Sequence, residues 1–122
     1  MHIALIVLVA LIVAGLLYVG VQFLRAPEAA AAGYGVPASS RGDARAYLSI
    51  KGMRDGVSGL IVLALLLSGL DTAVALFLLV GALIPIGDAV IVLRNGGSRA
   101  LAYGMHAVTA VVMMVVGVLL LV

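Results

Sequence analysis

Five side chains combine ionisable chemistry with largely apolar surroundings: Lys51, Arg54, Asp55, Asp88 and His106. Asp and His are residue types that take up and release protons during catalysis, so Asp55, Asp88 and His106 are the catalytic candidates, as acid or base. Lys51 or Arg54 would hold an anion or a developing oxyanion. Isomerisation, hydrolysis and cyclisation are all open to such a set. The chain has no cysteine, which excludes disulfides, zinc–thiolate sites and thiol nucleophiles. One His and two Asp have the donor types for a metal, but no ligand spacing accompanies them. There is no phosphate loop and no nucleophile motif, so neither a metal nor a cofactor is expected.

The elements that must position these groups follow from composition. Of the 122 residues, 66% are hydrophobic and 10% charged, against about a quarter charged in soluble domains. Such a chain lacks the polar surface to cover a water-soluble fold, and a lipid bilayer is the expected partner. The net charge of +2, with no basic cluster among aromatics, argues against nucleic acid. Crossing about 30 Å of hydrocarbon takes about 20 helical residues. Four segments meet or approach that length, roughly 2–24, 46–70, 72–93 and 100–122. The expected fold is an all-α membrane protein, an antiparallel bundle of four transmembrane helices in a single domain over residues 1–122.

Punctuation supports these boundaries. The apolar run from Ile3 to Leu24 exceeds a signal-peptide core and has no Lys or Arg before it, so it reads as a retained helix. Arg25-Ala26-Pro27 ends it. The stretch Ser68-Gly69-Leu70-Asp71-Thr72 is short enough to force a hairpin, and Asn95-Gly96-Gly97-Ser98 is a turn cluster. Pro85 is expected to break the third helix at Ile84-Pro85-Ile86-Gly87. The Ala- and Gly-rich connection 26–45, with Gly33, Gly35, Pro37, Ser39, Ser40 and Gly42, reads as a loop, and Asp43 as the N-cap of the second helix.

Helical rise places the polar groups at one depth. Asp55 lies 16 residues before Asp71, Asp88 lies 16 after Thr72, and His106 lies 16 before Val122, each about 24 Å along a helix. On the first helix that level falls between Tyr18 and Gln22. Tyr47, Lys51, Asp55, Ser58 and Val62 share one stripe; Gly52, Gly56 and Gly59 share its neighbour. Gly52-x-x-x-Gly56 is a spacing that lets another helix approach closely. On the fourth helix Arg99, Tyr103, His106, Ala110, Met113 and Gly117 fall on one face at a regular period. Tyr18, Gln22, Lys51, Arg54 and Tyr103 are the ligand-binding candidates, and Gly52, Gly56 and Gly59 the packing residues.

Plainer roles stand beside these. Lys51 and Arg54 suit snorkelling to headgroups, Asp55 suits pairing with Lys51 at i,i+4, and His106 suits a hydrogen-bonded packing role. Asp88 has no cation within a turn of its own helix, so it needs a partner from another, such as Arg54 or His106.

The run Tyr47-Leu48-Ser49-Ile50-Lys51-Gly52-Met53-Arg54-Asp55-Gly56-Val57-Ser58-Gly59, followed by Gly87-Asp88 and then His106, resembles a family of small four-helix membrane proteins catalogued as a domain of unknown function. Ala26-Pro27 and Gly33-Tyr34-Gly35-Val36-Pro37 are similar to it too. The resemblance implies the four-helix topology, with Arg54-Asp55, Asp88 and His106 as shared polar features, and implies no activity. Small multidrug transporters have this size and helix count, but their acidic residue lies in the first helix, where this chain has Gln22.

Three functions fit. The first is a pocket on the cytoplasmic side that binds or converts a small lipophilic molecule by acid–base chemistry. The second is a proton-coupled small-molecule transporter acting as a homodimer, its homo-oligomer partner being a second copy of the chain, whose midplane binding site sits poorly with a polar level near one face. The third is a structural subunit of a membrane complex. Every Lys and Arg, namely Arg25, Arg41, Arg45, Lys51, Arg54, Arg94 and Arg99, belongs to the connections 25–50 and 94–99 or their flanks. By the positive-inside rule those connections are cytoplasmic and both termini lie outside the plasma (inner) membrane. A periplasm-active reporter fused to either terminus is expected to be active; a reporter that is active only in the cytoplasm reverses the orientation.

Overall fold

The structure, a computed structural model, describes residues 2–36 and 43–122. The connection's Pro37, Ser39, Ser40, Arg41 and Gly42 lie outside the described residues. The described residues are all-helical, in five elements: α1 (Ile3–Arg25), α2 (Pro27–Tyr34), α3 (Ala44–Leu67), α4 (Asp71–Arg94) and α5 (Arg99–Leu121). Three of them, α1, α4 and α5, are long and apolar enough to cross a membrane. Helix α3 has 24 residues, but Lys51, Arg54 and Asp55 interrupt its apolar run.

The connection 26–45 is not all loop, because α2 occupies its first part. Asp43 precedes α3 in helical dihedrals (φ −78°, ψ −11°) and its side chain caps nothing. A capping side chain needs an extended backbone to fold over the first amides; here only the Asp43 carbonyl serves, accepting from Tyr47 N at 3.1 Å. In α4 the regular helix pauses at Ala82, between Asp71–Gly81 and Leu83–Arg94. Pro85 itself sits inside the second half. Its ring excludes the carbonyl four residues earlier and donates nothing to it, so the disturbance falls a turn before the proline rather than around it.

Glycines set the approach of α1 to α3. A Cβ on Gly20 would lie 2.7–2.8 Å from backbone atoms of Gly52 and Gly56, and one on Gly52 would lie 2.8 Å from Gly20 O and Phe23 Cβ. Gly59 receives Leu16 and Leu17. The contacts advance along α1 as they retreat along α3. Between α4 and α5, Gly81 faces Met113, and Gly117 faces Leu79 and Ala75. In lipid, association depends on such close packing, because the tails are as apolar as the side chains. One core gathers Val9, Val13, Val62, Val74, Leu78, Ala82, Met113 and Val116 from all four long helices. The outward surface is apolar too, with Leu11, Leu60, Val80 and Val111 all exposed.

Gly56 differs from its neighbours: its backbone seats Gly20, but its own Cβ would meet nothing within 4 Å. Gly20→Ala and Gly52→Ala are therefore expected to cost about 1–3 kcal/mol by overpacking. Gly56→Ala gains about 0.8–1 kcal/mol of helix propensity at no steric cost. Thermal melting in detergent checks this; a Gly56→Ala loss equal to that of Gly20→Ala rejects the register.

Candidate functional site

The site begins with a reversal after α1. Ala26 leaves helical dihedrals (φ −140°, ψ 68°), and Pro27 starts α2 at a position where its missing N–H costs nothing. Eight residues later Gly35 ends α2 in the left-handed region (φ 108°), and Val36 N donates back to Ala31 O at 3.3 Å. The Gly35 carbonyl accepts from Ser98 N at 3.4 Å. Gly97 lies against that carbonyl and against Val92, leaving no room for a side chain. Val36 then packs with Ala89, Val92, Leu93 and Ala102. Helix α2 is thus strapped to the ends of α4 and α5, and its last residue, Tyr34, points into the bundle.

Tyr34 meets all four long helices. Its hydroxyl donates to Asp88 Oδ2 on α4. Its carbonyl accepts from His106 Nε2 on α5 at 2.8 Å, and because a carbonyl only accepts, that nitrogen carries the proton. Its ring stands edge-on to His106 at 4.2 Å and to Phe23 of α1 at 5.4 Å between centroids. Lys51 Nζ of α3 lies 4.2 Å from the Tyr34 centroid and 4.8 Å from that of Phe23, a cation–π contact with both rings. Lys51 also donates to Asp55 Oδ2 at 2.5 Å. Burial, then the Asp88 hydrogen bond and charge, and then the Asp55 charge hold the Tyr34 phenol well above its ordinary range, so it stays a donor.

His106 owes its position to a widened turn. Residues Ala102–Ala107 form a π-helical stretch within α5, and Thr109 Oγ1 donates to the Met105 carbonyl beside it at 2.7 Å. Such a turn holds an extra residue and resets the helical phase. His106 is 3% exposed while Tyr103 is 60% exposed, so Arg99 and Tyr103 leave the face that His106, Ala110, Met113 and Gly117 share.

A cleft of about 280 Å³ opens between α1, α2 and α5, lined by Tyr18, Val19, Gln22, Phe23, Ala26, Ala29, Ala30, Gly33, Tyr34 and Met105. Its polar wall is Gln22 Nε2 donating to Tyr18 Oη at 2.9 Å, and Tyr34 closes its inner side. Of the residues singled out from the sequence, Asp88 and His106 meet on Tyr34, while Lys51 brings Asp55 to the same tyrosine. Tyr18 and Gln22 line the cleft. Arg54 and Tyr103 are exposed and stand apart. Asp88 takes its hydrogen bond from Tyr34 rather than from Arg54 or His106. Sequence reasoning placed Tyr34 in a loop; the signal for it was Pro27 at a helix start, Glu28 in the first turn and Gly35 just past the end. Among the described residues no three His, Asp or Glu side chains lie close enough to hold a metal ion.

These features define a helical membrane-protein class in which a polar cluster is tied together by a returning segment. The chain belongs to the family described as Domain of unknown function (DUF4267), whose match covers residues 13–120. No curated protein and no solved structure matches it.

Because folding raises the affinity of Tyr34 for its proton, its contribution is intact below the unfolded-state value of about 10 and is lost progressively as pH rises beyond that. Above about pH 10, wild-type melting temperature should fall more steeply than that of Tyr34→Phe, in which no phenol titrates there. Equal slopes would mean the phenol is not held between Asp88 and the rings.

Proposed function

We propose that this chain is a four-helix multi-pass membrane protein that binds a small lipophilic molecule in the cleft beside Tyr34 and acts on it through Tyr34, Asp88 and His106. The observation that carries this reading is that one residue lines the cleft and is also bonded to two proton-active side chains, the half-buried Asp88 and the buried His106. A phenol oxygen that donates to Asp88 still accepts. A ligand hydroxyl bonded to it completes a relay: the ligand proton passes to the Tyr34 oxygen as the Tyr34 proton passes to the Asp88 carboxylate. No phenolate accumulates, in keeping with the raised proton affinity of Tyr34. His106, holding the Tyr34 carbonyl, is the positioning residue. At about 280 Å³ the cleft falls just under the roughly 300–1,000 Å³ of small-molecule pockets, which suits one chain or a small ring.

In this reading α3 is the fourth span. Its 24 residues reach about 36 Å, Asp55 neutralises Lys51 within the helix, and the exposed Arg54 snorkels to headgroups. The four long helices alternate in direction, with 25–50 and 94–99 on the cytoplasmic side and both termini outside.

A structural reading has one observation in its favour: Lys51–Asp55 and Tyr34–Asp88 already satisfy each other. Gly33 separates the two, since a Cβ there meets nothing within 4 Å and a larger side chain takes up cleft volume without replacing any member of the polar cluster. Mass spectrometry of molecules extracted from purified protein should show a lipophilic component in the wild type. That component should be reduced at least about tenfold in Gly33→Leu and Asp88→Asn, with melting within a few degrees of wild type for Gly33→Leu. An unchanged extract from Gly33→Leu, together with a large stability loss in Asp88→Asn, assigns the cluster to structure alone.

A further inference from the structure

A second hollow adjoins the first. It has a volume of about 210 Å³ and is lined by Arg25, Ala26, Pro27, Glu28, Ala29 and Arg45. Ala26 and Ala29 line both hollows, so the first turn of α2 is the sill between them. The two differ in chemistry. The cleft is walled by Val19, Phe23, alanines and Met105, with the Tyr18–Gln22 pair as an uncharged polar wall, whereas the notch is lined by Arg25 at the end of α1 and Arg45 at the start of α3. Among the described residues neither arginine lies within ion-pair distance of a carboxylate; the one ion pair there is Lys51–Asp55. Glu28 also lines the notch, leaving two positive charges against one negative.

We infer that the ligand is an anionic amphiphile, with a phosphate or comparable oxyanion held by Arg25 and Arg45 and an apolar chain running over Ala26 and Ala29 into the Tyr18–Met105 cleft. This rests on the cleft reading above and names its ligand class. Arginine suits the head because its planar fork meets an oxyanion with two parallel hydrogen bonds. The small side chains of the sill let head and chain belong to one molecule. The shared chemistry is a phosphate ester on a hydrocarbon chain, supplied either by a bilayer phospholipid or by a free prenyl-type or alkyl phosphate.

The test uses full-length protein in phosphatidylcholine nanodiscs, with dodecyl phosphate and dodecanol as probes and bound molecules counted by native mass spectrometry. Dodecyl phosphate should bind at least about tenfold tighter than dodecanol, and the double variant Arg25→Gln/Arg45→Gln should erase that difference. Arg94→Gln/Arg99→Gln removes equal charge outside the notch and should preserve it; Glu28→Gln should enlarge it. Equal binding of the two probes, or equal losses in the two double variants, overturns the inference in favour of diffuse surface charge. If dodecanol binds and Gly33→Leu blocks it while the phosphate adds nothing, the head-group inference falls and the cleft reading stands. If neither probe binds, both fall. Competition by added phosphatidylglycerol identifies a bilayer lipid as the source, and its absence a free phosphate ester.

Discussion

Hydrocarbon offers no hydrogen bonds to a polar group, and an unsatisfied one costs several kcal/mol there. Asp88 carries this problem in its sharpest form, because its own helix supplies no cation within a turn. The hydrogen bond from Tyr34 resolves it from outside the long helices. For that hydroxyl to arrive, the chain must leave α1, reverse at Ala26 and send α2 back toward the bundle. The reversal in turn requires Gly35 in the left-handed region and Gly97 bare against its carbonyl. Once Tyr34 is seated, its ring becomes the surface on which Lys51 rests, and Lys51 fixes Asp55. The polar level is therefore one connected arrangement.

The glycine contacts belong to the same dependency. Lys51 reaches the rings of both Phe23 and Tyr34 because Gly20 and Gly52 bring the backbones of α1 and α3 together one turn away. A wider separation would leave the ammonium reaching for solvent, as Arg54 does three residues later. At the opposite end the core is apolar valine and leucine packing, which holds the helices together but specifies little about charge. The molecule is thus divided along its length into a packed half and a bonded half, and the glycines join the two.

Much of this was legible from rise per residue. Helical rise gives Asp55, Asp88 and His106 equal offsets along their helices; Asp88 and His106 both bond Tyr34, and Asp55 is joined to it through Lys51. Phase was less legible where the helix departs from regularity. Arg99 and Tyr103 were placed on the His106 face by a 3.6-residue period, but the π-helical turn at Ala102–Ala107 inserts a residue and rotates them away. Composition hid α2, because a run of alanines and glycines between charged segments reads as a linker unless Pro27 and Gly35 are weighed as its two ends. Pro85 suggests a break at Ile84–Gly87, but that stretch is helical and the pause falls earlier, at Ala82. Gly20 carried no motif of its own, and its importance follows only from what lies opposite.

The composition of α2 also explains why there is a cleft. Ala26, Ala29, Ala30 and Gly33 recur at the spacing of one helical face, and all four line the cleft. Pro27, Ala31 and Tyr34 occupy the other face, where Pro27 and Ala31 are buried. Alanine is the best helix former, so the cleft face keeps the helix stable while contributing almost no volume. At Gly33 a Cβ would meet nothing within 4 Å, so the cleft has room there for a side chain that the sequence leaves out. The strap that satisfies Asp88 is therefore held on one side and left hollow on the other, and the hollow ends at the tyrosine hydroxyl's own ring. A segment serving only to bond Asp88 would need the buried face alone; the bare face is what leaves the cleft open between α1, α2 and α5.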